Sequence, residues 1–303
     1  MDYVLRTNAL SKKYGKFYAV DKVNVTIAQG DIYGLIGENG AGKSTFMKMV
    51  AGLINPSEGS MELFGDCALK EQRCRLGCAI EEPALYSELT AGQNLEIYRR
   101  AYGITDHACV TEILEQMDLQ EYQNKQVKKF SMGMKQRLAI GLTLLGNPDF
   151  LILDEPINGL DPTGIQEIRN FLLKLNKERH ITILISSHIL GELSKLANKY
   201  GIIKKGKLLD EVTANQLRSR CQCCLQITVS DAAKAAVVLE KQLHTTNYEV
   251  MNGQRLRVFD YVEDAGIVNT TLANAGIMIY ESVISRESLE DYFNKKMRGN
   301  GND

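Results

Sequence analysis

Gly37-Glu38-Asn39-Gly40-Ala41-Gly42-Lys43-Ser44 fits the pattern G-x-x-x-x-G-K-[ST] at every fixed position. Gly37, Gly40 and Gly42 let the backbone curl so that successive N–H groups face phosphate oxygens. Lys43 supplies a point charge for β- and γ-phosphates, and Ser44 offers a hydroxyl to Mg²⁺. Working outward, Asp31 to Ile36 reads as a short buried strand, and Thr45 to Gly52 as an apolar helix ending at a glycine. A helix opened by the loop adds the attraction of its N-terminal dipole for anions. Strand, loop and helix in this order predict an α/β core that grips a phosphate.

Further along, Val4 to Leu10 and Lys22 to Ala28 read as strands flanking a turn. Residues of about 85–147 are poor in strand signals and show helical periodicity over Thr90–Gly103, Thr105–Met117 and Met132–Leu145. They predict an all-helical insert in the α/β core. Strand-like runs resume at Phe150–Leu153 and Ile181–Ile185, with a helix over Thr163–Lys177 between them. Such a βαβ unit predicts parallel pairing. A hairpin around Lys205-Gly206 follows.

After Leu217 the pattern restarts: strand Leu225–Val229, helix Asp231–Leu243, a hairpin around Asn252-Gly253, helix Val262–Ala275, strand Ile277–Ile284 and helix Glu287–Met297. The expected division is a nucleotide-type domain over 1–217, a small ferredoxin-like βαββαβ domain over 218–297, and a tail over 298–303.

The totals narrow the function classes. Of 303 residues, 36 are Lys or Arg and 37 Asp or Glu, a net charge of −1. Nothing in these totals argues for nucleic acid, whose expected footprint is a basic stripe, so no nucleic-acid partner is expected. No apolar run is long enough to cross a bilayer, and the N-terminus does not read as a secretory signal. The expected place is therefore the cytoplasm or the cytoplasmic face of a membrane. Seven cysteines are present, three of them clustered as Cys221, Cys223 and Cys224. Two readings of the cluster stand: reduced thiols at a domain junction, or a soft-metal site, which has no histidine at zinc spacing to complete it.

Three more stretches carry chemistry. Phe150-Leu151-Ile152-Leu153-Asp154-Glu155 is an apolar strand ending in two acids, where ligands sit in parallel sheets. Asp154 is placed to hold Mg²⁺, and Glu155 to orient or deprotonate an attacking water. His188 follows the next apolar strand, so it can face the same ligand. Ser131, before the helix that holds Gly133, is a good N-cap and leaves a second helix N-terminus suited to phosphate.

Together these residues resemble the ATP-binding-cassette (ABC) ATPase family over residues 3–217. Walker A corresponds to Gly37–Ser44, with Thr45 joining Glu38, Asn39 and Ala41 in the nucleotide-binding set. Walker B corresponds to Leu151–Asp154, and Glu155 matches the catalytic acid. Phe130–Met134 matches the signature motif, Asn158–Asp161 the D-loop, and His188 the switch histidine. Tyr14 matches the aromatic that stacks on adenine, and Val20 the apolar residue beside it. The resemblance implies an ATPase with ATP and Mg²⁺, in which two cassettes close head to tail. Ser131 and Gly133 of one would then touch the γ-phosphate held by the other. It also implies a separate transmembrane permease, with homodimer and heterodimer both open.

Two departures point to one branch. Glu81 stands where the family usually has Gln, and the signature reads Ser131-Met132-Gly133-Met134. With Leu85–Thr90, Gly133–Arg137 and the C-terminal appendage, these look like the bacitracin and lantibiotic-peptide exporter branch. A carboxylate at position 81 is a stronger Mg²⁺ ligand than an amide, so Glu81 joins Ser44 and Asp154 as an expected metal residue. The alternative is a soluble ABC ATPase acting on ribosomes or DNA. The single phosphate loop and the lack of long heptads weigh against it.

Overall fold

The computed structural model describes residues 3–81, 85–220, 223–251, 254–286, 292, 293 and 296. The chain divides into two units, Met1–Ala214 and Asn215–Asp303.

In the first unit, β1 (Tyr3–Tyr14) is the spine of an antiparallel layer. It pairs with β2 (Phe17–Val23), β3 (Thr26–Ala28) and β5 (Glu58–Leu63). The sequence reading omits β5, whose Gly59 and exposed first half weaken the strand signal. The second sheet contains β4 (Ile32–Ile36), β6 (Leu76–Ala79), β7 (Phe150–Leu153), β8 (Thr182–Ser187), β9 (Lys199–Lys204) and β10 (Lys207–Thr213). Its order is β10-β9-β4-β8-β7-β6. All its pairings are parallel except the β9–β10 hairpin. Strands β4, β7 and β8 are buried along their whole length, which accounts for their unbroken apolar runs.

Helix α1 (Lys43–Ala51) begins after Gly42 at φ 108° and ends at Gly52 at φ 81°, both in the left-handed region. Its Phe46, Met47, Met49 and Val50 are fully buried and share one core with Leu5 and Leu10 of β1, Leu35 of β4 and Ile152 of β7. The phosphate loop is thus anchored to both sheets through the helix it opens. A short helix α2 (Leu69–Gln72) precedes β6.

The helical insert holds α3 (Ala91–Ala101), α4 (Ala108–Gln116) and α5 (Met132–Leu144). Thr90 and Gln93 form a reciprocal capping box at the start of α3. Asn94 is fully buried, accepts the Tyr86 N–H at 2.8 Å, and donates to the Tyr86 and Thr90 carbonyls. It therefore pins the segment between Tyr86 and α3. Back in the core, α6 (Pro162–Arg179) and α7 (Leu190–Leu193) complete the unit.

The second unit opens with α8 (Ala214–Arg220), which straddles the division. It continues as β11 (Cys223–Val229), α9 (Ala232–Gln242), β12 (Tyr248–Val250), β13 (Arg255–Val258), α10 (Ala265–Asn274) and β14 (Ile279–Arg286). The sheet order is β12-β13-β11-β14, antiparallel throughout. Leu225, Ile227 and Val229 of β11 pack with Ala235 and Leu239 of α9 and with Val268 and Leu272 of α10. Cys224 is buried in β11 and Cys223 half-buried. Cys221, the hairpin tip Asn252-Gly253, most of the expected helix Glu287–Met297 and the expected tail lie outside the described residues. Among the described residues, no cluster of three or more His, Cys, Asp or Glu could cage a metal ion.

Candidate active site

Parallel order brings the C-terminal ends of β4, β7 and β8 side by side, and the expected chemistry hangs from those ends. The loop after β4 carries the phosphate pattern. At Gly42 a Cβ would lie 2.3 Å from the Ala19 carbonyl oxygen, so only glycine fits there, apart from its φ. Gly37 is held as closely, since a Cβ would sit 2.4 Å from the Ile203 carbonyl oxygen. The tip of the β9–β10 hairpin fastens the same loop. The Gly206 N–H donates to Ala41 at 2.9 Å, and the Gly206 carbonyl accepts from the Asp21 N–H at 2.8 Å.

Lys43 is 6% exposed, rare for a lysine, and its ammonium is fully engaged. Nζ donates to the Gly37 carbonyl at 2.7 Å and to the Glu38 carbonyl at 3.2 Å, and lies 3.2 Å from Glu155 Oε1. Glu155 follows β7 at φ 50°, a left-handed conformation that costs a non-glycine residue free energy. Its Oε2 is 2.8 Å from His188 Nδ1. Its Oε1 is buried and makes no aligned hydrogen bond, despite the nearby ammonium. Lys43, Glu155 and His188 thus form one continuous polar line across three strand ends.

Ser186, in β8, holds the two acids in register and is absent from the sequence reading. It is fully buried; its hydroxyl donates to Asp154 Oδ1 and accepts the Glu155 N–H at 2.8 Å. The Asp154 N–H donates to the Ala79 carbonyl at 2.8 Å. The only sequence hint is a pair of serines at the end of an apolar strand, where a buried hydroxyl needs a partner.

A cavity of about 320 Å³ opens on this line. The hairpin residues Tyr14, Phe17 and Ala19 line it together with Asn39, Gly40, Gly42, Lys43, Ser44, Thr45 and Glu155. Val20 is a correction. It is fully buried in the core with Leu10, Val23 and Phe46, and does not line the cavity. Alternation along β2 puts Phe17 and Ala19 on the cavity face and Val20 on the other. Gly37, Glu38 and Ala41 belong to the loop without lining the cavity; Gly37 and Ala41 are buried and Glu38 is exposed.

Glu81 also departs from the expected metal set. It sits at φ 66° with a side chain 65% exposed, and it ion-pairs with Lys48 of α1. A carboxylate closed on an ammonium is a weaker cation ligand until that pair opens.

A second cleft of about 340 Å³ gathers Ser131, Gly133, Gly159 and Asp161. Ser131 caps α5, accepting the Met134 N–H at 3.3 Å; Asp161 caps α6, accepting the Gly164 N–H at 3.2 Å. Two helix N-termini therefore share one opening. A Cβ on Gly133 would meet only Leu160, at 4.0 Å, so the α5 backbone is open to approach. Arg137 ties the cleft together, 3.1 Å from Glu167 of α6 and hydrogen-bonded to the Met117 carbonyl beyond α4. No residue lines both clefts.

The segment after His188 is braced by Glu192, which binds Lys195 at 2.7 Å and Arg169 of α6 at 2.6 Å. The Lys195 hydrogen bond, with Arg169 adding, holds the Glu192 carboxyl below the usual carboxylate range.

Comparison with known proteins places this geometry. Residues 20–158 match the family model described as ABC transporter. The chain is 43% identical to the bacitracin transport ATP-binding protein BcrA of Bacillus licheniformis, over 99% of both chains. It is 42% identical to the lantibiotic transport ATP-binding protein SrtF of Streptococcus pyogenes, over 69% of this chain and 90% of that one. Among solved structures it resembles MJ1267, an ATP-binding cassette of an ABC transporter in its ADP conformation (TM-score 0.65, 25% identity, 71% of this chain and 92% of that one). It also resembles a dimeric post-hydrolysis state of the cassette MJ0796 bound to ADP and phosphate (TM-score 0.62, 25% identity, 69% of this chain and 98% of that one). None of these relatives supports the ribosome or DNA alternative.

Proposed function

The chain belongs to the family of ABC transporter ATP-binding proteins and is an ATPase of that class, and on this premise we propose that it powers export of a peptide antibiotic through a separate membrane permease. Full-length similarity to proteins named for bacitracin transport, and similarity over 69% of this chain to one named for lantibiotic transport, supports the cargo class. No helix among the described residues is long and apolar enough to cross a membrane, in keeping with peripheral attachment to the cytoplasmic face through that permease.

One observation carries the chemistry: the polar line from buried Lys43 through Glu155 to His188. Glu155 Oε1 is a charged acceptor with no aligned donor, so it can orient a water and take its proton. His188 fixes the other carboxylate oxygen and stands ready to donate toward a γ-phosphate oxygen. Lys43 is held by two neutral carbonyls and one carboxylate; a triphosphate offers more negative charge and draws the ammonium to it. Tyr14 stacks on the base, and the loop N–H groups from Asn39 to Thr45 bind phosphate oxygens.

Ser44 lines the cavity, and Asp154 stands beside Glu155. One hydroxyl and one carboxylate make a sparse, hard oxygen set. That suits Mg²⁺, which keeps waters and phosphate oxygens in its shell. These two residues would hold it, and bound there it would neutralise charge on the β- and γ-phosphates. Glu81 reaches that set only by leaving Lys48. Ser131, Gly133 and Asp161 complete the site of a second copy, head to tail.

Glu155→Gln tests the reading. It keeps the shape and an acceptor but loses the base. Binding of ATP should persist while hydrolysis falls about 10²- to 10⁴-fold, measured by calorimetry and phosphate release. Cells carrying the permease should lose protection against bacitracin-type or lantibiotic peptides with the same variant. Undiminished turnover removes Glu155 from the mechanism.

A further inference from the structure

The sheet of the second unit ends on an unguarded strand. β14 is the outer strand of the order β12-β13-β11-β14 and, among the described residues, pairs only with β11. An edge strand presents a row of unpaired N–H and C=O groups, and proteins blunt such edges by shortening, charge, proline or a bulge. The opposite edge, β12, is three residues long. The outer strand β10 of the larger sheet carries Lys207, Asp210 and Glu211. β14 runs for eight residues, Ile279-Tyr280-Glu281-Ser282-Val283-Ile284-Ser285-Arg286, with no proline and no lysine. Its one bulge falls at Tyr280, since Val229 pairs with Ile279 and Thr228 with Glu281. From Glu281 to Arg286 the register against β11 is unbroken.

The side chains along this edge are apolar and open: Tyr280 is 60% exposed, Val283 51% and Ile284 54%. Ser282 opposes Ile227 of the core, and its hydroxyl donates to Asn269 of α10 at 2.9 Å, so Ser282 and Ile284 take the helix-covered face. Glu281 opposes Thr228 and Val283 opposes Gln226, which puts Glu281, Val283 and Ser285 on the other face. The segment matches itself when a second copy runs antiparallel about Val283. Val283 then faces its own counterpart, Ser282 faces Ile284, and Glu281 faces Ser285, whose hydroxyl can donate to the carboxylate. The two copies of Glu281 stand four positions apart, about 13 Å, so like charges do not meet. Centring on Ser282 instead would set the two carboxylates diagonally across one face.

We infer that β14 is a self-association edge, through which two copies of this chain pair antiparallel over residues 281–285, centred on Val283. The pairing needs no nucleotide, and it favours identical copies because the strand is matched to itself. Two short strand segments cover less than the about 1,200–2,000 Å² that a lasting interface buries, so this contact alone gives a weak, concentration-dependent dimer.

Sedimentation of the full chain without nucleotide, in a Lys43→Ala background that disables the phosphate loop, isolates the contact. A monomer–dimer equilibrium with a Kd at or below about 10⁻⁴ M is expected. Adding Val283→Lys sets two ammonium groups directly opposite each other and should raise that Kd about tenfold or more, with the circular dichroism unchanged. Val283→Cys serves even if the lysine variant folds poorly. Opposed Cα atoms of an antiparallel pair lie about 4.5–5.5 Å apart, within the about 4.4–6.8 Å that a disulfide spans. Mild oxidation should therefore join two copies through position 283, identified by the mass of the linked peptide because the chain has seven cysteines of its own. Ser282→Cys and Ile284→Cys should link when mixed and far less when alone. A monomer at every concentration up to that Kd would overturn the pairing. So would a Val283→Lys chain that associates as well as the unsubstituted edge, linkage that never includes position 283, or Ser282→Cys linking to itself as readily as Val283→Cys.

Discussion

The two clefts of the first unit differ in how far one chain completes them. At the phosphate loop, Lys43, Glu155 and His188 already stand within reach of one another, with Glu155 Oε1 left without an aligned donor, and Ser186 locks the acids from behind. At Ser131 and Asp161, two helix N-termini open on a space lined by glycines together with Met132, Leu160, Arg137 and Glu167, with each cap satisfied only within its own first turn. The first cleft carries reactive groups. The second carries two helix N-termini and lacks a Lys–Glu–His line of that kind. In the proposed head-to-tail dimer a second cassette supplies what each lacks, which is the logic of a two-fold assembly.

The sharpest way to break that contrast is complementation. Lys43→Ala and Ser131→Arg should each lower ATPase activity by at least about a hundredfold. Mixed in equal amounts, they should recover up to about a quarter of wild-type activity, because half of the dimers keep one intact composite site. No recovery, with mixed dimers verified by cross-linking, would mean that the clefts do not share a nucleotide.

Ser186→Ala probes the first cleft alone. It strips a donor from Asp154 and leaves the Glu155 N–H unpaired, a loss of about 1–3 kcal/mol. kcat should fall about tenfold, half-saturation for Mg²⁺ should rise, and Ser186→Thr should restore both. A change in melting temperature with unchanged kcat and Mg²⁺ dependence would reduce Ser186 to packing.

The smallest effect concerns the brace behind His188. The folded Glu192 carboxyl titrates below its ordinary range, so its contribution to stability is present above that range and is lost as pH falls through the folded value. Glu192→Gln should therefore melt lower than wild type near neutral pH, with the gap closing on acidification. A gap independent of pH would mean that the charge is not what stabilises the segment.

Legibility in the sequence followed the range of the interactions. The phosphate loop and the Ser131 cap depend on residues within a few positions of one another, and each stands where the sequence places it. Strands β5 and β6 went unread. β6, Leu76-Gly77-Cys78-Ala79, is short, and its Gly77 answers to distant neighbours: a Cβ there would lie 2.5 Å from the Thr143 carbonyl oxygen. Val20 was misread because an apolar residue in a strand carries no mark of which sheet face it joins, and a one-residue difference in register reverses that choice. Ser186 belongs to no motif, and its importance exists only where β7 and β8 lie side by side.

Taken alone, the amino-acid order determined a phosphate-gripping turn, two acids at a strand end and two capped helices, because glycine torsions, apolar runs and capping are short-range effects. Tertiary structure decided that Lys43, Glu155 and His188 meet, that the Gly206 hairpin seats the loop, and that Phe17 and Ala19 face the cavity while Val20 does not. Those outcomes depend on which strands become neighbours and which face each one buries. Packing of the whole core settles that choice, and no local periodicity encodes it.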